Sequence, residues 1–463
     1  MVESAQTHEV KSPYDGAHVG RVPLGTAEQR EAAIKAALAA FAETRSMSRV
    51  RRAQICVDIA TGIERRGSEL AETLALECGK PLKAAEVEVS RAVATFHIAA
   101  EEAKRLSGEL VPLDVVPWGE GYAAQYSRFP IGPILGIIPF NFPLNLAAHK
   151  LAPCIAAGCT LVMKPPQQAP ISTLKLAEIA YEAGLPPKAF NVLHCSVEVA
   201  EPMVKDDRFK LVSFTGSAAV GWYLKSIAGK KRVVLELGGN AGAIVHADAD
   251  VEWAVARTAA GGYGYAGQSC ISVQRVLVHR SIYADFCDRL VARTKQLKVG
   301  DPLRADTDIG PLIEEKHAER VISWIDEAKA DGARVLTGGR REGSLVWPTI
   351  LADTRPDMKV ECQEIFGPVV TLRPYDDFKA AVKIVNDSVY GLQSGIFTHD
   401  IRLIQYAYQN LDVGGVVVND YPTLRIDNMP YGGVKDSGLG REGILSSLQE
   451  MTEPKMLIVN LRH

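Results

Sequence analysis

No apolar run in this chain is long enough to cross a bilayer. The most hydrophobic stretch, Ile131–Phe140, is short and interrupted by Gly132, Pro133, Gly136 and Pro139, whereas a membrane helix needs about 20 apolar residues. The opening segment, Met1–Gly16, is polar and lacks the apolar core of a secretory leader, so none is expected. Cysteine is sparse and unpatterned: Cys56, Cys78, Cys154, Cys159, Cys195, Cys270, Cys287 and Cys362 form no CxxC pair. That argues against a disulfide framework or a metal site and for a reduced, cytoplasmic protein. A dominant charge is missing too. With 52 basic and 55 acidic residues, a net charge of -3 and no basic run, there is no electrostatic case for nucleic acid or an anionic membrane. There is no internal repeat and no low-complexity tract.

What is present is a chain of 463 residues, 47% hydrophobic and 23% charged. That composition suits a globular protein with more than one core. Residues 9–23 read as a hairpin turning at Tyr14-Asp15-Gly16. Thr26 and Gln29 form a capping box for a helix running through Phe41. Helices are predicted over 48–78, stopping at Gly79 before Pro81, and over 83–106. Residues 110–130 suggest two strands around Trp118-Gly119-Glu120-Gly121. From 134 to 240, apolar strands (Ile134–Ile138, Thr160–Met163, Phe190–Leu193, Leu211–Phe214, Val233–Leu237) alternate with helices near 144–157, 171–183, 197–205 and 217–228. Such alternation predicts a parallel α/β sheet. It resumes beyond 242 with Arg275–Val278, Val369–Arg373 and Gly415–Val418, a second α/β unit.

Four strings carry the chemistry. Gly264-Tyr265-Ala266-Gly267-Gln268-Ser269-Cys270 places a thiol after a glycine-rich turn. Inward-pointing amides there would favour a usable thiolate. Glu236-Leu237-Gly238-Gly239-Asn240 ends a strand-like run in a carboxylate, a costly place for charge unless it works. Pro139-Phe140-Asn141-Phe142-Pro143 sets an amide in a turn, and Lys164-Pro165-Pro166-Gln167 ends another strand. In this order and spacing the four resemble the aldehyde dehydrogenase superfamily, from about residue 8 to the C-terminus.

The resemblance implies an α/β, aldehyde dehydrogenase-like fold: a Rossmann-like cofactor domain (1–109 and 131–241), a second α/β catalytic domain (242–447) and a small β oligomerisation element (110–130 and 448–463). It implies that Cys270 attacks the aldehyde carbon, Asn141 holds the oxyanion and Glu236 activates the water that hydrolyses a thioester. An oxyanion donor is typically worth about 3 kcal/mol of barrier. Lys164 would bind the adenosine ribose. Ile138, Pro139, Phe140, Phe214, Gly216, Ser217, Gly221 and Leu237 would line the cofactor site. Glu364 would bind the nicotinamide ribose, with Phe366 near the ring. Ser217 would open a helix whose N-terminus can face the pyrophosphate. Where strict NAD users often carry a glutamate three residues after the lysine, this chain has Gln167. Less repulsion of a 2′-phosphate follows, so NADP or NAD is expected.

Phe142, His149, Ser269, Ile271, Arg425 and Tyr431 are the expected substrate-reading residues. The loop 419–433 resembles branches that take lactaldehyde, phosphonoacetaldehyde, succinic semialdehyde or glyceraldehyde 3-phosphate. Arg425 would either clamp an anionic group bidentately or brace its loop through Asp427. His149 would either face the cavity or pack inside its helix. Few aromatics flank the expected tunnel mouth, which disfavours bulky aromatic aldehydes. The alternatives are a broad-specificity aliphatic or aromatic aldehyde dehydrogenase and a coenzyme A-acylating relative, which would generally lack Glu236. A thioesterase or a non-catalytic protein on the same fold are also weighed. A homodimer or homotetramer is implied, with a small-molecule aldehyde as the partner, and no nucleic acid, membrane or metal.

Overall fold

The computed structural model describes residues 6–462. The first five residues of the range 1–109 and the last of 448–463 lie outside the described residues. The chain opens on an antiparallel hairpin, Thr7–Lys11 with His18–Pro23. Helix Ala27–Ser46 runs on past Phe41, and its capping box forms: Thr26 accepts from the Gln29 N–H while the Gln29 side chain accepts from the Thr26 N–H.

The predicted helix over 48–78 is two helices, Arg49–Arg65 and Gly67–Cys78. The chain leaves helical geometry at Arg66 (φ -97°, ψ 19°), whose guanidinium Glu69 and Glu178 hold. Periodicity hides the break because both pieces bury residues in one core, among them Ile59, Ile63, Leu70 and Leu74. Helix Leu82–Arg105 joins that core.

The first large sheet has six strands. Its order is Gly438–Leu439, Arg232–Glu236, Leu211–Thr215, Pro133–Ile137, Thr160–Lys164, Phe190–Val192. Only Gly438–Leu439 is antiparallel. The chain leaves Pro133–Ile137 in one direction and returns on its other side at Leu211–Thr215. A crevice opens at the carboxyl ends of two such strands, the usual ligand position in an open α/β sheet. The second sheet has seven strands in the order Arg334–Thr337, Thr349–Ala352, Val369–Tyr375, Arg275–His279, Gly242–Val245, Gln393–Phe397, Gly415–Val418.

The chain crosses back near its end. Gly438–Leu439 pairs with the first sheet, and Ile444, Leu448 and Met451 belong to the first core. A third sheet joins Glu109–Val111, Tyr122–Pro130 and Thr452–Asn460. Its first strand is only three residues long. Pro112 and Pro117 follow it, and neither has an N–H to give a ladder. Among the described residues, no helix is long and apolar enough to cross a membrane.

Candidate active site

Loops from both large sheets meet over a cavity of about 370 Å³. Asn141, Glu236, Cys270, Arg425 and Tyr431 line it together with Phe142, Ser269 and Ile271. It continues past Pro139, Phe140, Gly216, Ser217, Leu237, Glu364 and Phe366. Asn141 is there because it turns the chain from strand Pro133–Ile137 into helix Pro143–Ala157. Glu236 is the last residue of its strand. Cys270 follows the turn Gly264–Gly267, in which Tyr265, Ala266 and Gly267 take φ of +50°, +53° and +70°. Only Gly267 is free of a Cβ there.

The Asn141 Nδ2 gives one N–H to the Gln268 carbonyl at 3.0 Å, and its Oδ1 has no partner. An amide carries two N–H groups, so one is left for a ligand oxygen. Cys270 Sγ lies 3.2 Å from Tyr431 Oη. Burial pushes the Cys270 thiol up to about 12, against the lowering effect of the Tyr431 bond. That direction runs against the thiolate expected from the sequence. The thiol is half-buried on the cavity wall, and no helix N-terminus begins at Cys270.

Glu236 is buried with neither oxygen partnered. Burial, then nearby Glu442, raises it well above the ordinary carboxylate range. Glu442 is equally buried yet is lowered to about 2, because Lys150 and Arg425 outweigh its burial. The difference is contact. Lys150 Nζ sits 2.8 Å from Glu442 and Arg425 Nη2 3.1 Å from it, whereas Glu236 touches no cation. Contact with the cations favours the ionised form of Glu442, while burial disfavours that of Glu236. Room for Glu236 depends on Gly432, where a Cβ would lie 2.9 Å from its Oε1.

Arg425 is nearly enclosed, with its guanidinium 3.9 Å from the centre of the Tyr431 ring and its Nε unpartnered. The anticipated Arg425–Asp427 brace is not what holds it. Asp427 instead binds Arg91 and His149. His149 is not among the residues lining the cavity: its Nε2 lies 2.8 Å from Asp427, and burial lowers it to about 4. Every residue of helix Pro143–Ala157 is buried, so periodicity could not show which side faced the cavity. Its aromatic wall is made by Phe140, Phe142, Phe366 and Tyr431, all four expected at the site.

A cofactor cradle fits beside this centre. Helix Ala218–Ile227 starts after Ser217 with no side-chain cap, so its first N–H groups are available to an anion. A Cβ at Gly216 would meet the Phe214 ring at 2.5 Å, and one at Gly221 would meet Leu237 at 2.4 Å. A Cβ at Gly238 would strike Glu364, whose Oε1 accepts the Gly239 N–H at 3.0 Å. Burial lifts the Glu364 carboxyl to about 7. Ile138, Lys164, Gln167, Phe214 and Gly221 are not among the cavity-lining residues. Lys164 ends its strand, burial lowers it, and its Nζ donates to the adjacent Pro165 carbonyl. Gln167 is exposed close by in sequence.

Sequence reading missed Lys80, Glu88, Arg91, Lys150 and Glu442. Lys150 carried a signal: it is a lysine inside the apolar run Leu144–Ala157, where a charge is costly unless paired. With its thiol pushed up to about 12, Cys270 in the cofactor-free protein should be alkylated by iodoacetamide at a rate still climbing above about pH 10. A free thiol, half-ionised at about pH 8.5, has levelled off by then. Tyr431→Phe removes a bond that lowers the thiol and should slow the reaction further. Mass-spectrometric rates across pH check both.

The aldehyde dehydrogenase family model matches residues 1–457. A 3-sulfolactaldehyde dehydrogenase of Priestia aryabhattai is 42% identical over 99% of this chain and 96% of its own. Aldehyde dehydrogenase 21 of Physcomitrella patens, solved with the reaction product succinate, superposes with a TM-score of 0.98 at 43% identity, over 99% of this chain and 96% of that one. The glyceraldehyde-3-phosphate dehydrogenase of Methanocaldococcus jannaschii, solved with NADP, gives 0.95 at 38% identity over 98% and 100%. With the model matched along nearly its whole length, this chain belongs to the aldehyde dehydrogenase family.

Proposed function

We propose that this enzyme oxidises short anionic aldehydes to carboxylic acids with NADP or NAD, through a covalent Cys270 intermediate. The observation that carries the reading is the meeting of Cys270, Asn141, Glu236 and Arg425 on one small cavity. The sulfur bonds the carbonyl carbon as its proton passes to water, the C=O π pair moves to the oxygen, and the free N–H of Asn141 faces that developing oxyanion. When bound, the nicotinamide supplies the hydride acceptor. Cys270 is left as a thioester, and Glu236, once ionised, takes a proton from the attacking water. Lys150, Arg425 and Arg441 all favour the ionised form of Glu236.

Substrate charge is argued from Arg425 and Arg91, which both line the cavity. Arg425 also lies near enough to Cys270 to favour its thiolate. An anionic group resting against it therefore belongs to a short aldehyde. Three relatives fit, one named for a sulfonate aldehyde, one solved with succinate and one named for a phosphate aldehyde, while others are named for uncharged lactaldehyde. For the cofactor, an exposed Gln167 near Lys164 carries no charge to repel a 2′-phosphate. The lone edge of strand Thr452–Asn460, with Met456, Leu457, Ile458 and Val459 exposed, suits burial against a second subunit.

Glu236→Gln should give a burst of reduced cofactor near one equivalent and then little steady turnover. An unchanged steady rate would assign the water to another group. In an aldehyde panel read at 340 nm with each cofactor, anionic substrates should lead. Arg425→Ala should raise their KM about tenfold or more while sparing neutral aldehydes. Gln167→Glu should weaken NADP about tenfold and leave NAD nearly unchanged. Sedimentation should show at least a dimer, and Leu457→Asp should shift it towards monomer.

A further inference from the structure

Lys80 and Glu88 form an ion pair in which both side chains are fully enclosed. Neither lines the cavity. Lys80 sits in the short link between helices Gly67–Cys78 and Leu82–Arg105, and Glu88 lies on the second of these. Burying such a pair is costly, and packed apolar residues often do as well for stability. The contacts it makes are therefore informative. Lys80 Nζ donates to the main-chain carbonyl of Asn141 at 2.7 Å. Glu88 Oε1 accepts from the N–H groups of Leu144 and Asn145 at 3.0 and 3.1 Å. Helix Pro143–Ala157 has no side-chain cap of its own at Phe142. Glu88, arriving from another helix, is its cap, and a carboxylate there also suits the helix dipole.

The pair thus grips the chain on both sides of Phe142, with Asn141 at one end and the helix start at the other. The same ammonium lies 3.9 Å from the centre of the Phe142 ring and 4.5 Å from that of Tyr265. Tyr265 is the first left-handed residue of the turn leading to Cys270, and its hydroxyl donates to the Cys78 carbonyl at 3.0 Å. Lys80 is itself fixed. It follows Gly79, whose φ is +67° and where a Cβ would meet Pro311 and Pro13. From Lys80 the path runs through the Asn141 peptide to its Nδ2, which holds the Gln268 carbonyl two residues before Cys270. One ammonium therefore braces the candidate oxyanion donor and the nucleophile loop together.

We propose that Lys80, paired with Glu88, is a positioning residue that aims the Asn141 amide at the reacting carbonyl oxygen. The inference rests on the reading of Asn141 as oxyanion donor. Lys80 touches no reacting atom, so its effect should pass through Asn141. A shift of about 1 Å in such a donor is enough to cost about 100-fold.

The test is a double-mutant cycle on the full-length enzyme, using the aldehyde most rapidly oxidised in the panel. Asn141→Ala should lower kcat/KM by about 100-fold. Lys80→Met should lower it by about 30-fold or more, mainly in kcat, with cofactor affinity by fluorescence titration unchanged. In the Asn141→Ala background, Lys80→Met should cost less than about threefold. The same loss in both backgrounds would overturn the positioning role and leave the oxyanion reading intact. An Asn141→Ala enzyme with unchanged kcat/KM would overturn the oxyanion reading instead. If Lys80→Met does not fold, Lys80→Met/Glu88→Gln, which leaves no lone buried charge, takes its place in the cycle with the same outcomes.

Discussion

Lys150, Arg425 and Glu442 are charged groups that this fold encloses where its two large sheets meet. Lys150 comes from the helix that follows the first strand of its sheet, and Arg425 and Glu442 come from the chain's return. Lys150 is further tied to Ser213 and Thr215 at 2.9 and 3.0 Å. A buried ion is tolerable only when partnered on every side, and here each cation finds Glu442. That choice leaves Glu236 without a counter-ion. The upward shift of Glu236 thus follows from its burial and from how the neighbouring charges are shared.

The same constraint orders the rest of the site. Arg425, held by Glu442, lies over the Tyr431 ring, and Tyr431 in turn meets the Cys270 sulfur. Asp427 is occupied by Arg91 and His149, which locks the loop beside Arg425 to the helical layer. Burial thus disfavours charge at the two candidate reactive groups, while the ion pairs lie behind them.

Much of this was legible in the sequence because the informative residues sit at element ends. Asn141, Lys164 and Glu236 each close a strand or open a helix, and apolar strand runs bounded by Gly and Pro mark such places well. The strands of the first sheet fall where alternation predicts them. What could not be read is what depends on tertiary contact. The break at Arg66 lies between two helices that share one core. The orientation of His149 is hidden in a helix buried all round. The pairing of Lys80 with Glu88, or of Lys150 with Glu442, spans elements that no local pattern connects. The return of Gly438–Leu439 to the first sheet likewise follows from the strand pairing alone.

The half-buried setting of Cys270 has a chemical corollary between turnovers. Peroxide and other oxidants attack the thiolate, and susceptibility follows thiolate character and exposure. A sulfur whose burial pushes its thiol up, with no second cysteine bonded to it, offers less thiolate for the first step towards sulfenic acid than a free cysteine would. The setting that makes the nucleophile less ready at rest also makes it less oxidisable while it waits.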